Sequence, residues 1–210
     1  MLTEGGFFDR IKEKSYEDFM YKLCKTEESA KRQREIELAL LSLMKSRKYE
    51  EITVSELCDM NGIPRKAFYR YFENKDGALH ALIVHTVAGY EDSAKKYKSS
   101  QRTLEGDLDK FFKFWQEQRE FLDALKRNNL IGLLIQYAIS YSETEREILN
   151  KFLPGETEQM QRAIIKFAIC GLMSSMAEWH EGGFQQKSID MARTMCRMFS
   201  EPLFPNLSAY

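Results

Sequence analysis

Only four prolines and 11 glycines interrupt the 210 residues. Long stretches contain neither, β-branched residues are sparse, and no alternating apolar/polar run of strand length occurs. That excludes a sheet-rich fold and leaves helices. Repeats and low-complexity tracts are also missing. The four cysteines stand singly at Cys24, Cys58, Cys170 and Cys196, with no C-x-x-C pair. Such spacing fits neither a zinc ribbon nor a disulfide framework, and reduced thiols are expected. His80 and His85 lie five apart, off the i, i+4 spacing of a helical metal pair, so no metal ligand is expected. Apolar runs such as Leu130 to Ile135 are too short to cross a bilayer. The opening residues show no basic start followed by an apolar stretch and a small-residue cleavage site. A cytoplasmic protein with no membrane partner is expected.

Charge of one sign is also lacking. With 31 basic and 32 acidic residues the net charge is −1, which excludes a polycation that coats nucleic acid. Any nucleic-acid site must be a local patch. No Gly-rich phosphate loop, nucleophile elbow or metal-spaced His/Glu set occurs. The expectation is therefore no enzyme, no catalytic residue and no cofactor. Glu178, His180 and Glu181 could mimic an acid–base group, but charges near a helix end are ordinarily solvated.

Apolar residues make up 43% of the chain, enough for a core. Helical spacing predicts a first helix over 28–46, with Ile36, Ala39, Leu40, Leu43 and Met44 on one stripe. A short helix follows over 54–60, with Thr53 as N-cap and Glu56 three residues on, as in a capping box. Asn61-Gly62 ends it, and Pro64 opens a second short helix reaching about Tyr71. Asn74 caps a long helix to about Lys98. Further helices are expected over 103–116, 119–127, 129–140, 143–152 and 156–180, and Ser188 caps a last one to Ser200.

A stripe helix, a seven-residue helix, a glycine turn and a basic aromatic helix make a helix-turn-helix pattern, whose second short helix enters the DNA major groove. The second short helix reads Pro64-Arg-Lys-Ala-Phe-Tyr-Arg-Tyr71. Arg65, Lys66, Tyr69 and Arg70 share about 140° of helical arc, and Phe68 and Phe72 are the core anchors. Arginine forks onto guanine, while Lys and Tyr hold phosphates. Ala30 to Lys75 holds ten basic and seven acidic residues, a local excess of positive charge.

The stretch Lys31 to Leu82 resembles the DNA-binding domain of TetR-family transcriptional regulators. The matching residues are Arg34-x-Ile36, Tyr49-x-x-Ile52-Thr53-Val54, Asn61-Gly62-Ile63, Ala67-Phe68-Tyr69-Arg70-Tyr71-Phe72-x-x-Lys75 and Leu79. The resemblance implies an all-α fold: an N-terminal extension over 1–28, a three-helix DNA-binding domain over 29–75, and a helical effector-binding and dimerisation domain over 76–210. It implies that Thr53, Tyr69, Tyr71 and Lys75 hold phosphates while Arg65, Lys66 and Ala67 face bases, with Arg70 on the same basic face. Pro64 replaces the usual small polar residue, which removes one hydroxyl contact, and Cys58 replaces a common alanine.

The extension mixes Phe7, Phe8, Ile11, Tyr16, Phe19, Met20 and Leu23 with Arg10, Lys12, Lys14, Lys22 and Lys25. It reads either as a packed extra helix or as an arm beside the duplex. The aromatic-rich region 103–141 is core or effector pocket, with Trp115, Tyr137 and Met173 as candidate lining and Arg119 and Gln136 as candidate polar contacts. Phe167, Gly171, Ser175, Trp179 and Met195 are the candidate dimer interface. With the resemblance, these imply a ligand-responsive homodimeric transcriptional regulator, expected to be a repressor, that binds a palindromic double-stranded operator and is released by a small apolar or aromatic effector. The alternatives are an all-helical sensor without specific DNA binding, and an all-helical enzyme.

Overall fold

The computed structural model describes residues 21–22, 24–96, 103–142 and 154–201. The predicted helix over 143–152 and most of the N-terminal extension lie outside them. Among the described residues nine α-helices account for the fold, with one 3-10 turn and a single antiparallel bridge, Tyr21 to Phe72.

α1 spans Glu27–Met44. It starts where Thr26 and Ser29 exchange side-chain and backbone bonds, 3.2 Å and 3.3 Å long, and Glu27 and Glu28 meet the positive end of its dipole. Ile36, Leu40 and Met44 are fully buried, whereas Ala39 and Leu43 sit at the edge of the stripe. A 3-10 turn, Tyr49–Glu51, leads to α2, Val54–Met60. The Thr53–Glu56 box is present: the Glu56 amide donates to Thr53 Oγ1 at 3.3 Å, and the Thr53 amide to Glu56 Oε2 at 2.8 Å. Gly62 turns the chain at φ 59°, where a Cβ would be strained. α3 is shorter than predicted, Arg65–Phe68, because Phe68 and Phe72, both fully buried, pull the chain inward at its end. α4, Lys75–Lys96, opens with the Gly77 amide donating to Asn74 Oδ1 at 2.9 Å.

α5 is Leu104–Glu117, α6 Arg119–Arg127, α7 Ile131–Ser142, α8 Glu158–Glu181 and α9 Ser188–Ser200. Ser188 is the first residue of α9, not its cap; Lys187 holds the cap position. The Ser188 hydroxyl instead donates to Asp109 Oδ1 at 2.6 Å, tying α9 to α5.

The chain forms two compact units. The first runs to Ala88 and takes in Asp123–Leu130; the second is Gly89–Leu122 with Ile131 onward. Asn128 explains the annexed segment. Its Oδ1 accepts the Tyr49 amide at 2.6 Å, and its Nδ2 donates to Ala124 at 2.7 Å and to Met44 at 3.3 Å. Leaving those buried groups unpaired would cost about 1–3 kcal/mol each. The core of the second unit is aromatic. Phe112 stands edge-on to Trp179 at 5.5 Å, and Trp179 to Phe184 at 4.6 Å.

Candidate nucleic-acid interface

In the first unit, α2 and α3 flank the Gly62 turn, and Ile63 and Phe68 anchor α3 in the core. The opposite side of α3 faces outward. Arg65, Lys66, Tyr69 and Arg70 are exposed. The Arg65 guanidinium is held from both sides, donating to Ser55 Oγ at 3.2 Å and to the Tyr69 hydroxyl at 3.3 Å. The Tyr69 contact favours the charged guanidinium and raises its pKa. Ser55 lay outside the sequence reading, although a second hydroxyl two residues past the N-cap was a signal.

Ala67 and Tyr71 are half-buried, and the Tyr71 carbonyl accepts the Lys22 amide at 2.8 Å. Thr53 is exposed, but its hydroxyl donates to Glu56 Oε2 at 2.9 Å. Arg47 pairs with the same carboxylate and also donates to the Glu51 carbonyl at 2.9 Å. Arg47 first, and then Thr53, hold the Glu56 carboxyl down to about 2.

Lys75 is turned toward the protein. Its ammonium donates to Tyr49 O at 2.6 Å, Ile52 O at 2.8 Å and Glu50 O at 3.3 Å, and lies 4.2 Å from the centre of the Tyr49 ring. An ammonium has three protons, and here all three are directed at the turn before α2. Lys75 therefore braces the turn.

In the second unit the three candidate effector residues sit on different helices. Trp115 and Met173 are buried, and Tyr137 is half-buried. Trp115 Nε1 is buried with no hydrogen-bond partner among the described residues. Arg119 lies 4.5 Å from the centre of the Phe184 ring and donates to the Gly183 carbonyl at 3.3 Å; Gln136 is exposed. A hollow of about 590 Å³ between α8 and α9 is lined by Trp179, Met191 and Met195, and by none of the three effector candidates.

The dimer candidates divide. Phe167 is 64% exposed, Gly171 is exposed and Ser175 half-exposed. Trp179 and Met195 lie in the protomer's own core, each 5% exposed, with Trp179 Nε1 donating to Gln186 O at 3.0 Å. Sequence reading missed Met160 and Ile164, which are 50% and 37% exposed. With Phe167, Gly171 and Ser174 they form an exposed seam at alternating four- and three-residue spacing.

Among the described residues no helix is long and apolar enough to cross a membrane, and no group of three His, Cys, Asp or Glu could hold a metal ion. No family model matches the chain, and no curated protein sequence matches it. Solved structures do. A TetR-family transcriptional regulator from Streptomyces coelicolor superposes with a TM-score of 0.52 at 20% identity, over 81% of this chain and 79% of that one. The fatty acid degradation regulator FadR from Bacillus halodurans gives 0.53 at 14% identity, over 82% and 96%. The dihydroxyacetone kinase operon activator DhaS gives 0.50 at 17%, over 80% and 93%.

The chain has a TetR-like fold. At these identities the likeness concerns architecture: a first unit carrying a helix-turn-helix, followed by a larger helical unit. The three are described as a transcriptional regulator, a degradation regulator and an operon activator. Within the TetR-like fold, α2 and α3 are the pair that the sequence pattern marked as DNA-reading.

Proposed function

We propose that the protein is a homodimeric transcriptional regulator. It binds a palindromic operator through α2 and α3 and is controlled by a small apolar or aromatic effector. The observation that carries this reading is Arg65, exposed on α3 and held ready by Ser55 and Tyr69. A fork fixed in this way loses little freedom on meeting a guanine edge. Tyr69, Tyr71 and Thr53 take the surrounding backbone, and Lys66, Ala67 and Arg70 complete the reading face.

The seam on α8 supports dimerisation. Met160, Ile164 and Phe167 form an apolar surface that a second copy would bury, and Gly171 allows close approach. The unpartnered Trp115 N–H supports an effector carrying a hydrogen-bond acceptor among otherwise apolar contacts. Repression, rather than activation, follows the family resemblance.

The test is binding of selected operator and random duplexes at fixed salt. Arg65→Ala should weaken the specific complex by about 1–3 kcal/mol and spare the random one. Equal losses on both duplexes would remove Arg65 from base reading. A reporter gene under the selected operator then separates repression from activation.

A further inference from the structure

We propose that a hollow between α1 and α3 seats one phosphodiester of the duplex, with Arg32 of α1 as its clamp. This rests on the DNA-binding reading above and adds a third helix to the interface. The hollow is about 490 Å³ and is lined by Arg32, Lys66 and Arg70, with Glu28, Ser29 and Pro64 among the other walls.

Six of the ten basic side chains from Ala30 to Lys75 are engaged within the protein. Arg34 pairs with Glu37, Arg47 with Glu56, Arg65 with Ser55 and Tyr69, Lys48 with the Arg127 carbonyl, and Lys75 with three carbonyls; Lys45 also has a partner. Lys31, Arg32, Lys66 and Arg70 have no side-chain partner among the described residues. Three of these four line one hollow.

Three cations against the single carboxylate of Glu28 leave the hollow positive, and their mutual repulsion is relieved when an anion enters. The hydroxyls of Thr26 and Ser29 are already used in the α1 cap, so Arg32 does the binding, and Lys66 and Arg70 add positive charge from the reading face. Pro64, on the α3 wall, has neither hydroxyl nor N–H to offer an anion. Arg32, on the facing wall, offers a bidentate guanidinium instead, the geometry suited to a phosphate.

The test measures affinity for a labelled random-sequence duplex between 50 and 200 mM salt. Arg32 is exposed and partnerless, so Arg32→Gln should melt as the wild type does. Its plot of log affinity against log salt should be shallower by about 0.9, the loss of one phosphate contact. Arg32→Lys should keep the slope. Lys31→Gln, the neighbouring cation outside the hollow, should leave it unchanged.

If Arg32→Gln follows the wild-type slope while duplex binding persists, the seat is overturned and the DNA-binding reading stands. If the wild type binds no duplex, both fall. Inorganic phosphate at constant ionic strength separates the two phosphate sources. Phosphate binding that requires Arg32, together with an unchanged duplex slope, marks a free-anion site and also overturns the proposal.

Discussion

At the scale of single residues, Lys75 shows how a motif can carry a structural task. The pattern that made it a phosphate holder fixed its position but could not reveal that the carbonyls of Tyr49, Glu50 and Ile52 lie within reach of its ammonium. Those carbonyls converge only because the turn folds back before α2, which is a tertiary fact. Lys75→Met should therefore lower stability by about 1–3 kcal/mol, the usual effect of removing charged partners from such groups. The salt slope for duplex binding should stay at the wild-type value. Denaturant melts and duplex titrations check both, and a shallower slope with unchanged stability would return Lys75 to the phosphate.

His80 is the second residue whose surroundings decide its chemistry. It is 9% exposed. Burial first, and then the nearby charge of His85, hold its imidazole down to about 4. Both histidines stand edge-on to the Tyr21 ring, at 5.4 Å and 5.5 Å. The unfolded chain takes up this proton near pH 6.5, where the folded chain resists it. The contribution of His80 to stability is thus complete above about pH 6.5. It falls as pH drops toward 4 and levels off below, a total of about 3 kcal/mol at most. In urea melts from pH 7 to 4, His80→Gln should show a flatter loss of stability than the wild type.

At the scale of elements, most boundaries were legible because their signals are local. The Thr53–Glu56 box, the Gly62 turn and the Asn74 cap each depend on side chains within three or four residues. α2 and α6 begin and end where the pattern put them. Ser188 misled because a serine at a helix start reads as a cap, and only the approach of α5 shows that its hydroxyl goes to Asp109. α8 and α9 raise a different ambiguity: their periodicity marks apolar positions without saying which face the protomer covers. Trp179 and Met195 turned inward, while Met160, Ile164 and Phe167 stayed out. Phe167→Asp should therefore leave the melting of the protomer nearly unchanged and shift sedimentation toward monomer. Gly171→Leu separates folding from assembly more sharply, because a Cβ at Gly171 meets nothing within 4 Å in the protomer. The variant should fold normally and still dimerise less, since overpacking a close helix contact typically costs about 1–3 kcal/mol. A wild type that sediments as a monomer at micromolar concentration would end this reading of α8.

At the scale of the whole molecule, composition and punctuation indicated an all-helical chain, but not its division into units. Asp123–Leu130 joins the first unit from far along the sequence, through an asparagine whose three long-range or buried bonds have no sequence signature. The proposed effector site was the least legible part, because aromatic residues at helical spacing look the same in a core and in a pocket. The two units are joined within α4, which passes from the first to the second between Ala88 and Gly89. A ligand of the second unit that prefers one conformation must shift the population toward it. If that conformation disfavours operator, then operator must disfavour the ligand by the same factor, typically about 5- to 150-fold. Trp115 and Trp179 are the two tryptophans of the chain and both are buried in this unit, so their emission reports binding directly. Screening hydrophobic compounds that carry one hydrogen-bond acceptor should find a ligand that changes the fluorescence and releases operator. Titrating that ligand with and without saturating operator should give two affinities whose ratio equals the loss of operator affinity at saturating ligand. Equal affinities in the two titrations would leave a binding pocket with no control over DNA.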